Sequence, residues 1–178
     1  MKRLHLLAGA LACLGILAVT APAFADDATA TLHMATEKGQ GEAVGTVTFT
    51  DEDGGVTIKT DLKGLKPGAR GFHIHEKGSC DPTEKDGKIT PAGAAGGHYD
   101  PEKTGKHLGP DGGGHKGDLP VLKVADDGTA KETLHVKGLT ASELKDKAVM
   151  VHAGGDNYSD LPEALGGGGG RIACGVIK

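Results

Sequence analysis

The sequence predicts an all-β fold, an antiparallel sandwich or barrel of about eight short strands. Apolar and polar residues alternate with a period of two in many short segments, as at 46–50, where Val47 and Phe49 share one face. Runs rich in Asp and Gly, at 51–55 and 126–128, separate these segments and are typical of hairpin turns.

Each strand is expected where this alternation holds. Val56 and Ile58 share a face in the third segment, and Leu134 and Val136 share a face in the sixth. A short helix is expected at 140–145, where Thr140 and Glu143 have the spacing of a capping box. The expected strands cover residues 29–37, 42–50, 55–62, 69–76, 119–126, 129–137, 147–152 and 171–177.

Two long segments interrupt the strands, at 77–118 and 153–170. Both are rich in glycine, and loops of this length in a compact domain are usually functional or disordered. The first holds three histidines and a cysteine, which favours function. The five glycines at 166–170 lack the Gly-Lys-Ser/Thr of a phosphate-binding loop, so they predict either close backbone approach or flexibility.

The first 25 residues have the layout of a secretory signal peptide. Lys2 and Arg3 precede an apolar run at 4–19, and a small-residue pattern predicts cleavage after Ala25. The alternative of a membrane-anchoring helix is disfavoured because the apolar run is short and a polar segment follows it.

Cys13 lies inside the apolar run and raises a second alternative, a lipid anchor. The residues after it remain apolar, whereas a lipidated terminus would lead into a polar tether, so cleavage after Ala25 is favoured. Residues 26–178 then form a single exported domain.

Charge and composition exclude several kinds of partner. The chain has a formal charge of −4, and loss of 1–25, with Lys2 and Arg3 and no acid, makes it −6. With 3% aromatic residues and no basic stripe, the domain is not expected to bind nucleic acid. No further apolar run is long enough to span a membrane. The domain is therefore not expected to bind a membrane after the signal peptide is cleaved.

Two cysteines remain beyond the leader, Cys80 and Cys174, and an exported protein with two cysteines allows one internal pairing. Such a bridge closes a loop of about 95 residues and would stabilise the fold by roughly 4–5 kcal/mol in the chain-entropy model.

The histidines carry most of the functional information. In 71–75, alternation places Phe72 and Ile74 on one face and His73 and His75 on the other. His152 is turned outward in the same way. His33 and His135 sit in ordinary strands and are interpreted as surface residues. Six histidines cluster at strand ends and in the long loops: His73, His75, His98, His107, His115 and His152.

This cluster predicts metal binding, because imidazole is a good ligand for copper and zinc. Asp118, three residues after His115, adds a carboxylate, and three histidines with one aspartate make a closed tetrahedral zinc site.

Five runs in this chain, at 71–75, 96–99, 115–120, 151–156 and 170–177, resemble the Cu,Zn superoxide dismutases, and the resemblance covers essentially all of 26–178. The leader, the Gly-Ser-Cys after His75 and the short second loop are similar to the bacterial periplasmic branch. The resemblance implies a Greek-key β-sandwich or flattened barrel with two functional loops. It also implies an antioxidant oxidoreductase that converts superoxide to dioxygen and hydrogen peroxide.

The resemblance also implies a role for individual residues. A redox-cycling copper is bridged to a structural zinc through the imidazolate of His98, which also donates a proton to the departing peroxide. Asp156 would hydrogen-bond one ligand of each metal, and Arg171 would attract and hold the anion. Copper would be bound by His73, His75, His98 and His152, and zinc by His98, His107, His115 and Asp118.

Three questions stay open at this point. Lys77 is either a helper in attracting superoxide or an ordinary loop lysine. The chain could form a homodimer or remain a monomer. Two other functions compete: a non-enzymatic copper-binding protein, and a zinc hydrolase, which would need an open zinc position and a general base that this ligand set lacks.

Overall fold

A computed structural model describes residues 27–52 and 54–178 of the chain. The predicted signal peptide and its cleavage after Ala25 lie outside the described residues. No helix in the described part is both long enough and apolar enough to cross a membrane.

In the part of the chain that the structure describes, eleven strands make up almost all of the regular structure. Period-two alternation is visible in β1, where Ala28, Ala30 and Leu32 are buried and their neighbours are not. The strands are β1 (Asp27–Thr36), β2 (Gly39–Glu52), β3 (Gly55–Leu62), β4 (Gly68–Arg70), β5 (Phe72–His75), β6 (Thr83–Lys85), β7 (Lys88–Thr90), β8 (Leu122–Val124), β9 (Thr133–Lys137), β10 (Ala148–His152) and β11 (Arg171–Val176).

Seven strands form one curled antiparallel sheet in the order β5-β10-β11-β1-β2-β3-β9, and β4 pairs separately with β8. After β3 the chain crosses to the other edge of the sheet, where β5 pairs with β10, and it then returns to place β9 beside β3. This crossing is a Greek-key connection, so the predicted fold is confirmed.

Each of the eight predicted strand regions contains a strand, with three corrections. The region 69–76 is divided at Gly71 into β4 and β5. The regions 119–126 and 129–137 shorten to β8 and β9. The segment 77–118, predicted to lack strands, contains the β6–β7 hairpin, which turns at Asp86 and Gly87 with φ of 52° and 75°.

The hydrophobic core fills the inside of the curled sheet. It confirms the alternation predicted for β5, since Phe72 and Ile74 are fully buried there. Its largest fully buried members include Leu32, Phe49, Ile58, Leu62, Phe72, Ile74, Leu119 and Leu122.

A second, smaller apolar cluster lies on the outer face of β10 and β11, beneath the first long loop. It consists of Cys80, Ala92, Ala95, Ala148, Met150 and Cys174. The predicted Cys80–Cys174 disulfide is present at its centre and is confirmed. Side chains on the outer face of the barrel are therefore covered by this loop.

The predicted helix is present as α1 (Ala141–Leu144). Thr140 caps it by accepting from the Glu143 N–H, and the Glu143 carboxylate accepts from the Thr140 N–H, which confirms the capping box.

Candidate metal centre

Strands β5 and β10 bring three histidines to one place on the outer face. The register puts Met150 opposite His73, so His152, two residues further along β10, lies on the same face as His73 and His75. His98 comes from the first loop, where it forms a bridge pair with His75. All four side chains are buried, although they lie outside the barrel, because the long loops cover them.

These four residues form the first of two candidate metal groups. One ring nitrogen from each of His73, His75, His98 and His152 lies within 4.8 Å of the others.

Hydrogen bonds to the backbone determine which nitrogens of this group carry protons. His75 Nδ1 lies 2.9 Å from the Gly96 carbonyl oxygen, and His152 Nδ1 lies 3.2 Å from that of Gly169. A carbonyl oxygen only accepts, so each Nδ1 donates and each Nε2 holds a lone pair. The two Nε2 atoms are 3.3 Å apart, with lone pairs facing, which fits a cation between them.

The other two histidines of the group also present free lone pairs. His73 Nε2 is 2.7 Å from Asp156 Oδ2 and donates to it, which leaves Nδ1 buried without a hydrogen-bond partner. His98 Nε2 is likewise buried and has no hydrogen-bond partner among residues 27–52 and 54–178. Buried polar atoms are rarely left unsatisfied, so this arrangement suits a metal ion.

A second group surrounds the carboxylate of Asp118. His98 Nδ1 and His107 Nδ1 each lie 2.9 Å from one of its oxygens, and His115 Nδ1 lies at 3.5 Å. His107 Nε2 donates to Asp156 Oδ1 at 2.8 Å, so its Nδ1 holds a lone pair that faces the carboxylate and makes no hydrogen bond. The Nδ1 of His115 is also buried without a partner.

Proximity alone would place His73 in this second group beside His98, His107 and Asp118. We favour His115 instead, because His73 has one free nitrogen and that nitrogen already belongs to the first group. His98 differs from His73 in that its two nitrogens face different groups, which is the geometry a bridging imidazolate requires.

Electrostatics favours the protonation states that metal ligands need. Burial lowers the pKa of His75 to about 2, of His152 to about 3 and of His98 to about 4, so all three are neutral at pH 7. Burial opposes ionisation of Asp156, but hydrogen bonds from His73 and His107 outweigh it and lower its pKa to about 2. The His98 hydrogen bond similarly lowers the pKa of Asp118 against its burial.

Arg171 begins β11 opposite His152. Its guanidinium donates to the carbonyl oxygens of Ala92 and Gly96, each at 2.6 Å, and the Gly96 oxygen is the one that His75 also uses. Burial lowers its pKa, yet a guanidinium stays charged in proteins, so a fixed cation borders the first group.

Lys77, in contrast, lies at the surface. Its side chain is 67% exposed, and Nζ is 3.9 Å from Glu76 Oε1, which offsets its charge. Its part in attracting an anion stays a prediction. His33 and His135 lie outside both groups, as expected.

The sequence did not reveal the backbone partners of the site. The Gly96 and Gly169 carbonyls orient His75 and His152, and no side-chain pattern marks them. Asp160 was also missed, although its Oδ2 accepts from the His107 N–H at 2.9 Å. Close approach explains one member of the glycine run, since a Cβ on Gly166 would lie 2.0 Å from Asp156 Oδ1.

Comparisons with known proteins identify the family to which the chain is similar. The family model described as copper/zinc superoxide dismutase (SODC) matches residues 43–177. A superoxide dismutase [Cu-Zn] of Escherichia coli (strain K12) is 55% identical over 148 residues, covering 83% of this chain and 86% of the relative.

Two solved structures are similar along the whole of their chains. The Cu/Zn superoxide dismutase from Brucella abortus superposes with a TM-score of 0.84, at 52% identity over 86% of this chain and 100% of that one. The solution structure of the monomeric copper, zinc superoxide dismutase from Salmonella enterica gives 0.77, at the same identity and coverage.

Proposed function

The chain belongs to the copper/zinc superoxide dismutase family, whose members dismutate superoxide to dioxygen and hydrogen peroxide with copper and zinc, and we propose a role for each residue of its buried site. The observation that carries the proposal is that the two nitrogens of His98 face different groups: Nε2 is buried without a hydrogen-bond partner among the described residues, and Nδ1 lies 2.9 Å from Asp118 Oδ1.

We assign copper to the four-histidine group: His73 through Nδ1, and His75, His98 and His152 through Nε2. The donor set is nitrogen alone, which suits copper. The carbonyl oxygens of Gly96 and Gly169 and the Asp156 carboxylate hold the other nitrogens and so set the ring orientations.

We assign zinc to the group around Asp118, with Nδ1 of His98, His107 and His115 and one carboxylate oxygen. Three imidazoles and a carboxylate complete a tetrahedral set and leave no open position, which is typical of structural zinc. A closed set of this kind has no place for the bound water that a zinc hydrolase requires.

Copper when bound supplies the one-electron oxidation and reduction, and zinc supplies fixed positive charge beside His98. The protein supplies the protons and holds the anion. Two superoxide ions and two protons give one dioxygen and one hydrogen peroxide. We assign one proton transfer to His98 Nε2, because this nitrogen faces the copper group and has no hydrogen-bond partner in the described part of the chain.

Arg171 is assigned to binding the substrate. The chain is net negative, so uniform attraction cannot bring a small anion to the site, and a local positive field is needed. Two carbonyl oxygens fix the guanidinium beside the copper group.

We propose further that residues 1–25 are a signal peptide cleaved after Ala25 and that residues 26–178 function in the periplasm. The Cys80–Cys174 disulfide supports an oxidising compartment. All the proposed metal ligands come from one chain, so a monomer can carry out the reaction.

The proposal is tested by pulse radiolysis of superoxide on protein loaded with both metals, over a series of ionic strengths. Wild type is expected to consume superoxide rapidly, and more slowly as salt rises. Arg171→Met should lower the rate constant about tenfold or more and flatten its salt dependence. Arg171→Lys should keep the salt dependence, because the charge remains.

The matched control is Lys131→Met. It makes the same change in net charge at an exposed surface ion pair with Asp61 and should leave the rate unchanged within about twofold. Absence of turnover by wild type with both metals bound would contradict the residue assignments and favour a copper-binding protein without activity.

A further inference from the structure

The capping-box glutamate of α1 has a second set of contacts that the helix does not need. We infer that Glu143 is a positioning residue for the zinc side of the centre, which holds the segments that carry His98 and His115 and thereby slows the loss of zinc. This inference rests on the zinc assignment proposed above.

The two oxygens of the Glu143 carboxylate serve different parts of the fold. Oε1 accepts from the Thr140 N–H at 2.8 Å and completes the helix cap. Oε2 accepts from Lys116 Nζ at 2.7 Å and from the Tyr99 hydroxyl at 3.4 Å. Burial and the nearby Glu143 charge raise the pKa of Tyr99, so its hydroxyl remains a donor.

The two donors directly follow two proposed zinc ligands in the chain. Tyr99 follows His98, and Lys116 follows His115. Their segments are also joined to each other, because the Gly117 N–H donates to the Tyr99 carbonyl at 2.8 Å. Glu143 therefore holds a unit of two paired segments through the outer side chains of both.

Helix α1 is a firm anchor for this unit. Ala141 and Leu144 are fully buried in the main core. The Ala141 N–H also donates to Asp51 Oδ1 on β2 at 2.6 Å, so the helix is bonded to the barrel.

Solvent reaches the zinc group at His115, the residue directly before Lys116. The His115 side chain is 11% exposed, whereas His98 and His107 are at most 1% exposed. A groove lined in part by Asp100, His115, Lys116 and Val136 opens there. Zinc exchange is thus expected to begin at His115, where the Lys116–Glu143 ion pair restrains the chain.

The test measures zinc release from fully loaded protein to an excess of a chromogenic chelator, with copper release followed in parallel. Glu143→Gln keeps the acceptor that a capping box requires and removes the charge. It should speed zinc release roughly 3- to 10-fold, at or below the effect of residues that bond a metal ligand directly. Lys116→Met should do the same, and the double variant should be no faster than either single variant.

Thr140→Ala is the matched control, because it removes the side-chain cap of the same helix and leaves Glu143 Oε2 in place. It should lower the melting temperature and release zinc at the wild-type rate. Three outcomes would each overturn this inference while leaving the zinc assignment intact. Glu143→Gln could release zinc at the wild-type rate, or Thr140→Ala could speed zinc release as much as Glu143→Gln does. Glu143→Gln could also speed copper release as much as zinc release. Wild type that fails to bind one zinc per chain would overturn the zinc assignment as well.

Discussion

Asp156 shows how much of this centre depends on one side chain. Its two oxygens bond a histidine from each metal group, His73 at 2.7 Å and His107 at 2.8 Å, and the Tyr158 N–H donates to the carboxylate as well. The carboxylate fixes the tautomer of both rings, so each ring turns its Nδ1 toward a proposed metal position.

Replacing Asp156 with Asn should weaken binding of both metals. The amide has one acceptor oxygen, so its NH₂ must face one of the two histidine N–H groups and disturb that ring. We expect affinity to fall about 10- to 100-fold, measured by competition titration with a chelator of known affinity. Asp127→Asn, in the turn before β9, is the control, and wild-type affinity in Asp156→Asn would refute this role.

Sequence could indicate the side chains of the centre but not their backbone partners. Histidines at alternate strand positions and an aspartate three residues after His115 have a chemistry that residue type reveals. Residue type does not reveal the role of the Gly96 and Gly169 carbonyls. Every residue carries a carbonyl, and the direction of that carbonyl depends on how the loop folds. Asp160 was missed because it acts on a backbone N–H, through a contact 53 residues distant in sequence.

At the scale of elements, the first loop is fastened to β11 by covalent and polar contacts. The Cys80–Cys174 bond joins them, and Arg171 donates to the carbonyls of Ala92 and Gly96. The strand that carries Arg171 and the loop that orients His75 are thus held as one unit.

Removing the disulfide with Cys80→Ser and Cys174→Ser together should therefore affect both stability and rate. The bridge spans 94 residues, so the free energy of unfolding should fall by about 4 kcal/mol, measured by urea denaturation of the loaded protein. The superoxide rate constant should fall too, because the carbonyl partners of Arg171 are less constrained. A stability change below about 1 kcal/mol would contradict this expectation.

The alternation pattern identified the strands that bury one face. It did not identify strands whose two faces are both exposed. Every residue of β6 and β7 is exposed, so no apolar period exists to detect. The Asp-Gly turn at 86–87 was the available signal. The break at Gly71 was also hidden, because it depends on contacts with Gly154 and His152 from a distant segment.

At the scale of the whole molecule, buried neutral histidines make stability depend on pH. The pKa values of His75, His98 and His152 are lowered from about 6.5 to about 2, 4 and 3, chiefly by burial, so the unfolded chain binds more protons below pH 6.5. Their stabilising contribution is complete above that pH and declines as pH falls through the folded values.

We therefore expect the metal-free protein to lose stability between about pH 6.5 and pH 4. Each histidine that takes up a proton only on unfolding contributes a slope of up to about 1.4 kcal/mol per pH unit. Urea denaturation at several pH values measures it. Unfolding free energies that do not change across this range would show that the histidines are already protonated in the fold.

The fold class was predictable from alternation and turns, whereas the strand order was not. A period of two reports which face of a strand is buried, but it says nothing about which strands are neighbours. The Greek-key arrangement was expected from the family resemblance alone, and the pairing of β1 with β11, from opposite ends of the domain, was not predicted.

The position of β11 in the sheet determines when the sheet can close during synthesis. This last strand to be synthesised lies between β10 and β1 near the centre of the sheet, and Lys178 exchanges two backbone hydrogen bonds with Thr29. While the chain is being made, β1 lacks one of its two neighbours and β10 has only β5. The sheet can close only once the segment up to residue 178 is present, so we expect a nascent chain that lacks β11 to stay open.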